Sequence, residues 1–229
     1  HTPYNGLLLY HGMGSGKTCS AIGITEEFRK YNKYNENYKK VYIIASPNVQ
    51  ENFKLQLFDR TKLKRVNGMW NLEGCVGESL LMEMKNYNLE KVSEESIVRK
   101  ISRIINKNYE FLGYGQFANM IENIHTFEAT NEKSKKKIIK TRLNNLFDGA
   151  MLVIDEAHNI RLSGDKEDKK VASSLIQCVN YVKKMKLLLL TGTPMYNDHR
   201  EILLLLNILN INDGYTPCLL YTSDAADDP

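Results

Sequence analysis

The order of short apolar runs and amphipathic stretches predicts an α/β fold, a mostly parallel sheet with helices on both faces. Three observations carry this expectation. Five nearly continuous apolar runs have the composition of strands covered on both sides: Leu7–Tyr10, Val41–Ala45, Glu110–Gly113, Met151–Ile154 and Leu187–Leu190. Stretches with helical periodicity alternate with them, as the crossovers of parallel strands do. A glycine-rich segment, His11–Thr18, joins the first run to the first helical stretch. With 42% hydrophobic and 25% charged residues, the 229-residue chain has apolar side chains for a sizeable core and falls in the ordinary globular class.

The first run ends in His11-Gly-Met-Gly-Ser-Gly-Lys-Thr18. A strand that closes in a glycine-rich loop on Lys-Thr is the layout of a phosphate-binding P-loop. Gly12, Gly14 and Gly16 let the backbone bring its N–H groups up to phosphate oxygens, with Met13 and Ser15 between them. Lys17 supplies a point charge for the β- and γ-phosphates, and Thr18 a hydroxyl for Mg²⁺. Cys19–Lys30 is compatible with a helix whose N-terminus faces those phosphates. The segment therefore predicts a nucleoside triphosphate site for ATP and Mg²⁺, although His11 stands where the strict pattern has glycine.

Further along, helices are expected at Val49–Arg60, Glu94–Asn106, Gln116–Ile124, Lys169–Lys183 and His199–Leu209. Residues 62–108 separate two strand candidates by far more than a usual connection and read as an insertion, with Trp70 as its core anchor. Residues 126–148 read as an exposed helix carrying Lys133-Ser-Lys-Lys-Lys137, either a solvated face or a nucleic-acid backbone contact. His125 and His199 have no ligand spacing and read as surface residues. Leu203–Leu206 and Leu209 read as the packed face of a helix.

Leu152-Val-Ile-Asp-Glu-Ala-His158 delivers two adjacent carboxylates to the end of an apolar strand, where ligands sit in open α/β sheets. Asp155 suits Mg²⁺, and Glu156 suits the orientation and deprotonation of an attacking water. His158 lies too far along for the metal and is expected to relay contact away from the nucleotide. Leu187-Leu-Leu-Leu-Thr-Gly-Thr-Pro194 ends another strand in two hydroxyls around Gly192. Thr191 and Thr193 are expected to hydrogen-bond the carboxylates of Asp155 and Glu156.

In this order the three motifs resemble the ATPase core of superfamily 2 helicases and translocases. Asp155-Glu-Ala-His158 looks like the DEAH form of motif II, and Thr191-Gly-Thr193 like motif III. The continuation Leu-Thr-Gly-Thr-Pro-Met-Tyr-Asn-Asp resembles Swi2/Snf2-like remodellers and their viral relatives. Ile44-Ala-Ser-Pro47 resembles motif Ia, and Gly113-Tyr-Gly-Gln-Phe117 the strand-to-helix segment before motif II. The start, Tyr4–Gly12 with Cys19-Ser-Ala-Ile22, looks most like helicases of large nucleocytoplasmic DNA viruses, a group that includes the ATPase subunit of poxvirus early transcription factor. The resemblance spans residues 4–211. It implies a first RecA-like lobe in which Ser46, Pro47, Tyr114 and Gln116 approach a nucleic acid, DNA in the expected case. It also implies a parent enzyme that couples ATP hydrolysis to movement on or opening of that nucleic acid.

Besides a P-loop protein of another kind, such as a signalling or assembly ATPase, against which the pairing of Asp155-Glu-Ala-His158 with Thr191-Gly-Thr193 argues, two other readings remain open. One is the ATPase subunit of a viral transcription initiation or termination factor that separates no strands, with RNA polymerase or transcription-factor subunits as partners. The other is a non-catalytic ATP-binding interaction module. The family's second lobe, with motifs IV to VI and its arginine finger, is not found in the sequence, and no adenine-reading glutamine motif precedes Pro3. The expectation is an ATP-binding fragment with weak turnover, since such an arginine is worth about 10³–10⁵ in P-loop enzymes.

The domain division expected is a lobe over 1–211, a linker over 212–217, and a tail over 218–229 that resembles the translation of a transposase sequencing adapter. The formal charge is +4, and the tail contributes three aspartates and no basic residue to it. A mildly basic balance admits a polyanionic partner without demanding one. Cys19, Cys75, Cys178 and Cys218 show no zinc or disulfide spacing, so a reducing compartment is expected. No apolar run approaches the roughly 20 residues that cross a bilayer, and no secretory signal begins the chain, so an intracellular location without a membrane partner is expected. For a viral protein, that means the virion or the host cytoplasm.

Overall fold

The computed structural model describes residues 3–12, 14–34, 38–84, 92–126, 131–162, 165–193 and 200–217. Met13, residues 194–199 (His199 among them) and the 218–229 tail therefore lie outside the described residues. The main sheet contains β1 (Gly6–Tyr10), β2 (Val41–Ile44), β5 (Tyr109–Leu112), β6 (Met151–Ile154) and β7 (Lys186–Thr191), in the order β1-β7-β6-β2-β5. Every pairing in it is parallel. Each strand falls on a predicted apolar run, with ends shifted by no more than one residue. The reason is burial: all four residues of β2 and of β6 are buried, so their side chains are apolar on both faces.

Strand alternation divides the core in two. Tyr42, Ile44, Leu152, Ile154, Leu187 and Leu189 point to one face. There they pack against α5 (Tyr114–Ile124), α6 (Glu132–Phe147), α7 (Lys166–Tyr181) and α8 (Arg200–Asn212). Val41, Ile43, Val153, Leu188 and Leu190 point to the other, against α1 (Lys17–Asn32) and α2 (Pro47–Leu57). Helix boundaries follow local chemistry. Helix α2 starts at Pro47, earlier than expected, because proline is well suited to a first helical position. Helix α7 starts three residues early because the Asp165 carboxylate accepts from the N–H groups of Glu167 and Asp168. Leu204, Leu205 and Ile208 of α8 are buried, whereas Leu206 is exposed.

Residues between α2 and β5 build a small unit with its own core. An antiparallel hairpin, β3 (Leu63–Val66) with β4 (Met69–Leu72), turns on Asn67-Gly68, both at positive φ. With α3 (Gly77–Met82) and α4 (Glu94–Asn108) it buries Leu63, Leu72, Leu80, Leu81, Met84, Ile97 and Ile101. The Trp70 ring packs against this cluster half-buried, and its indole N–H donates to the Val92 carbonyl at 3.0 Å.

Three expectations need correction. Cys19 and Cys75 form a disulfide across 56 residues, joining the first turn of α1 to the loop after β4. A pair so far apart has no spacing signature. Helix α6 is not simply exposed, because Ile139, Leu143 and Phe147 lock its second half into the core. His125 is part-buried, its Nε2 lying 2.9 Å from Gln177 Oε1. Among the described residues no helix is long and apolar enough to cross a membrane.

Candidate nucleotide-binding site

Parallel strands bring their C-terminal ends to one edge of the sheet, and the three motifs meet there. Tyr10 at the end of β1 is in register with Thr191 at the end of β7. Ile154, which ends β6, pairs with Leu189, so Asp155 and Glu156 emerge beside Leu190 and Thr191. The His11 N–H donates to the Thr191 carbonyl at 3.2 Å, carrying the first link of the loop onto β7.

The loop is an open cradle. Gly14 and Gly16 have φ near +76° and +82°, and a Cβ built on Gly12, Gly14 or Gly16 would meet nothing within 4 Å. The Ser15 hydroxyl donates to the Gly12 carbonyl at 2.6 Å, closing the turn from within. Helix α1 begins at Lys17 with no side-chain cap, so its first N–H groups point toward the loop. Thr18 is its second residue. Left-handed glycines, open space and uncapped donors fit a phosphate chain.

Lys17 is drawn over to the acidic motif. Its Nζ donates to Glu156 Oε1 at 3.2 Å and lies 3.7 Å from Asp155 Oδ1. Asp155 is buried, and its Oδ1 accepts from the Glu156 N–H at 2.8 Å. Burial pushes the Asp155 carboxyl above the usual range, aided by the Glu156 charge and opposed by the Glu156 N–H and by Lys17. Glu156 itself sits in the left-handed region, with φ 46° and ψ 52°. A non-glycine residue held there stores backbone strain of the kind that clusters at functional sites.

That left-handed turn, with the single 3₁₀ turn Ala157–Asn159 after it, folds the chain back over β7. As a result, His158 rather than the carboxylates meets the hydroxyl of Thr191. His158 Nδ1 lies 3.2 Å from Thr191 Oγ1 and 3.3 Å from Glu156 Oε2. Thr191 Oγ1 also accepts from the Thr193 N–H at 3.1 Å. The expected hydrogen bonds from Thr191 and Thr193 to Asp155 and Glu156 are thus replaced by a bridge through the imidazole. Gly192 fits closely here: a Cβ on it would stand 3.4 Å from the His11 carbonyl oxygen and 3.8 Å from Lys17 Nζ.

The four residues expected to approach nucleic acid divide into two kinds. Ser46 and Pro47 are exposed at the start of α2. Tyr114 instead turns inward, and its hydroxyl donates to the Asp155 carbonyl. Burial pushes that phenol up to about 12, so it stays a neutral donor. Gln116 stays exposed, its Oε1 accepting from the Gly113 N–H at 2.8 Å. The Tyr114–Asp155 link leaves no signal in the sequence, since only the packing of α5 beside β6 creates it.

Comparison with known proteins adds to this geometry. The model of the SNF2-related domain matches residues 1–216. A candidate helicase of Invertebrate iridescent virus 3 is 31% identical over 218 residues, covering 91% of this chain and 19% of the relative. A candidate ATP-dependent RNA helicase of Acanthamoeba polyphaga mimivirus is 26% identical over 226 residues, covering 91% and 18%. A termination factor NPH-I homolog of African swine fever virus is 26% identical over 207 residues, covering 90% and 22%. The chain spans about a fifth of the length of these curated relatives.

Proposed function

We propose, from the premise that the chain belongs to the SNF2-related domain family, that it is the ATP-binding lobe of a nucleic-acid-dependent ATPase. The observation that carries this reading is the convergence of Lys17, Asp155 and Glu156 at the open mouth of the glycine loop. In the bound state Lys17 exchanges its carboxylate partner for β- and γ-phosphate oxygens, and the N–H groups of Gly12–Thr18 hold the phosphate chain. Thr18 and Asp155 hold Mg²⁺, which supplies charge neutralisation on the phosphates. Glu156, released from Lys17, orients and deprotonates the attacking water. The bridge Glu156–His158–Thr191 carries the nucleotide state into the loop after β7, and Tyr114 ties Asp155 to α5.

The domain reading that goes with this is a lobe over 1–211 with an insertion at about 62–108, a linker over 212–217, and a non-native tail over 218–229. The parent moves on or opens DNA, and Ser46, Pro47 and Gln116 are exposed positions for its backbone. A second reading, the ATPase subunit of a viral transcription factor, draws support from the likeness to the termination factor homolog. Steady-state ATP hydrolysis by a protein containing this lobe, with and without DNA or RNA, tests the proposal. Stimulation by nucleic acid is expected, with low turnover from the lobe alone. Hydrolysis indifferent to any nucleic acid would overturn the reading. A strand-displacement assay beside a transcription assay separates the motor from the transcription factor.

A further inference from the structure

Helix α6 places five lysines, Lys133, Lys135, Lys136, Lys137 and Lys140, where its own electrostatics oppose them. Lys133 and Lys135 sit in the first turn, at the positive end of the helix dipole, where acidic side chains are favoured, and Lys136 and Lys137 follow in the next. Lys133 with Lys137, and Lys136 with Lys140, are like charges four residues apart, which repel on a helix surface. Glu132 is the single acidic residue of the helix. None of the five ammonium groups has a hydrogen-bond or ion-pair partner among the described residues. All but Lys135 are exposed.

The helix is nevertheless held firmly in this position. Ile139, Leu143 and Phe147 are buried in the core, the Arg142 guanidinium donates to the Ile124 carbonyl at 2.9 Å, and the Asn144 amide donates to the Tyr181 carbonyl at 3.0 Å. The Asn131 side chain caps the start by accepting from the Ser134 N–H at 2.8 Å. The lysines thus project from a fixed scaffold rather than from a loose tail. Ile124 ends the 11-residue α5, whose other end, Tyr114, touches Asp155. At 1.5 Å per residue, the anchor of α6 lies about 16 Å along that helix from the nucleotide motif.

We infer that the lysine face of α6 is a second nucleic-acid contact, one that grips phosphates outside the path at Ser46 and Pro47. The inference rests on the nucleic-acid-dependent reading above. A cluster of exposed cations suits the sugar–phosphate backbone and carries no sequence preference. Backbone phosphates supply the anions that the helix lacks, and lysines at successive turns span about three of them.

The test measures binding of a short fluorescein-labelled duplex DNA by fluorescence anisotropy across a salt series. It compares the full chain, the triple variant Lys133→Gln, Lys136→Gln, Lys137→Gln, and the same three positions changed to Arg. The Gln variant is expected to lose at least about tenfold in affinity at low salt, and its slope of log K against log salt to shrink by about 2 to 3. The Arg variant is expected to keep both. Equal affinity and slope for the Gln variant overturn the inference while leaving the nucleotide reading untouched. Tighter binding of polyglutamate than of DNA at matched charge, lost in the Gln variant, also overturns it, in favour of an acidic protein partner. Absence of DNA binding by the unmodified chain overturns it as well. Mg·ATP affinity, measured on the same preparations, reports on the nucleotide reading separately and is expected to be unchanged in both variants.

Discussion

Lys17 and Glu156, 139 residues apart, meet with Nζ 3.2 Å from Oε1 at the mouth of the glycine loop. On the proposed reading, the lysine that would hold phosphate and the carboxylate that would activate water pair with one another in the absence of nucleotide. Side-chain exposures of 12% and 39% leave the pair reachable from solvent.

Glu156→Gln separates binding from chemistry. The amide keeps the shape of the side chain but removes the base, so Mg·ATP affinity is expected to hold or rise while single-turnover hydrolysis falls by about 10²–10⁴-fold. Rapid-quench hydrolysis beside nucleotide titration checks this. An unchanged hydrolysis rate would assign the base elsewhere.

Reduction of Cys19–Cys75 is expected to lower stability. Closing a loop across 56 residues removes enough unfolded-chain entropy to stabilise the fold by about 4 kcal/mol on the chain-entropy model. Urea unfolding of the oxidised chain against the Cys75→Ser variant reads the difference. Coincident midpoints would show that the link constrains nothing in the unfolded chain.

Arg29 holds a buried charge network together. Its guanidinium donates to Glu26 at 2.9 Å and 2.6 Å and also to Glu83, and the Tyr109 hydroxyl donates to Glu26 at 2.6 Å. Burial pulls the Arg29 pKa down, but its hydrogen bonds to Glu26 and Glu83 and their charges outweigh that and hold it above its ordinary value. Arg29→Met strands the Glu26 carboxylate in the core and is expected to cost about 3–5 kcal/mol. Equilibrium denaturation near neutral pH checks it, and a cost under about 1 kcal/mol would mean that Glu26 finds another partner.

Asp155 gives the fold a pH dependence of definite sign. Its folded-state value lies above the ordinary 3.8, chiefly through burial, so the folded chain binds more protons than the unfolded one in the window just above that value. Stability therefore declines as pH rises through the window, and the full cost of the buried carboxylate is present beyond it. Asp155→Asn is expected to flatten this decline and to weaken Mg·ATP binding. Parallel stability curves for the two proteins would contradict the assignment.

What was legible in the sequence was local. The strands could be read because burial on both faces leaves runs such as Met151–Ile154 wholly apolar. The glycine loop and Asp155-Glu156 could be read because their chemistry needs particular residues at fixed spacing. The unread features join distant segments. Glu26 and Arg29 look like an exposed pair one helical turn apart until Tyr109 and Glu83 close over them. Cys75 has no meaning before the loop after β4 is laid against α1. Thr191 turns to His158 because of a left-handed residue, Glu156, and sequence does not announce such a conformation.

Calorimetric titration of Mg·ATP into the chain and into its Lys17→Ala variant tests the nucleotide reading most directly. Loss of a charge-assisted contact to phosphate, about 1.5–3 kcal/mol, predicts that the unmodified chain binds and the variant binds about tenfold to a hundredfold more weakly. Equal affinities, or no binding by the unmodified chain, would contradict it.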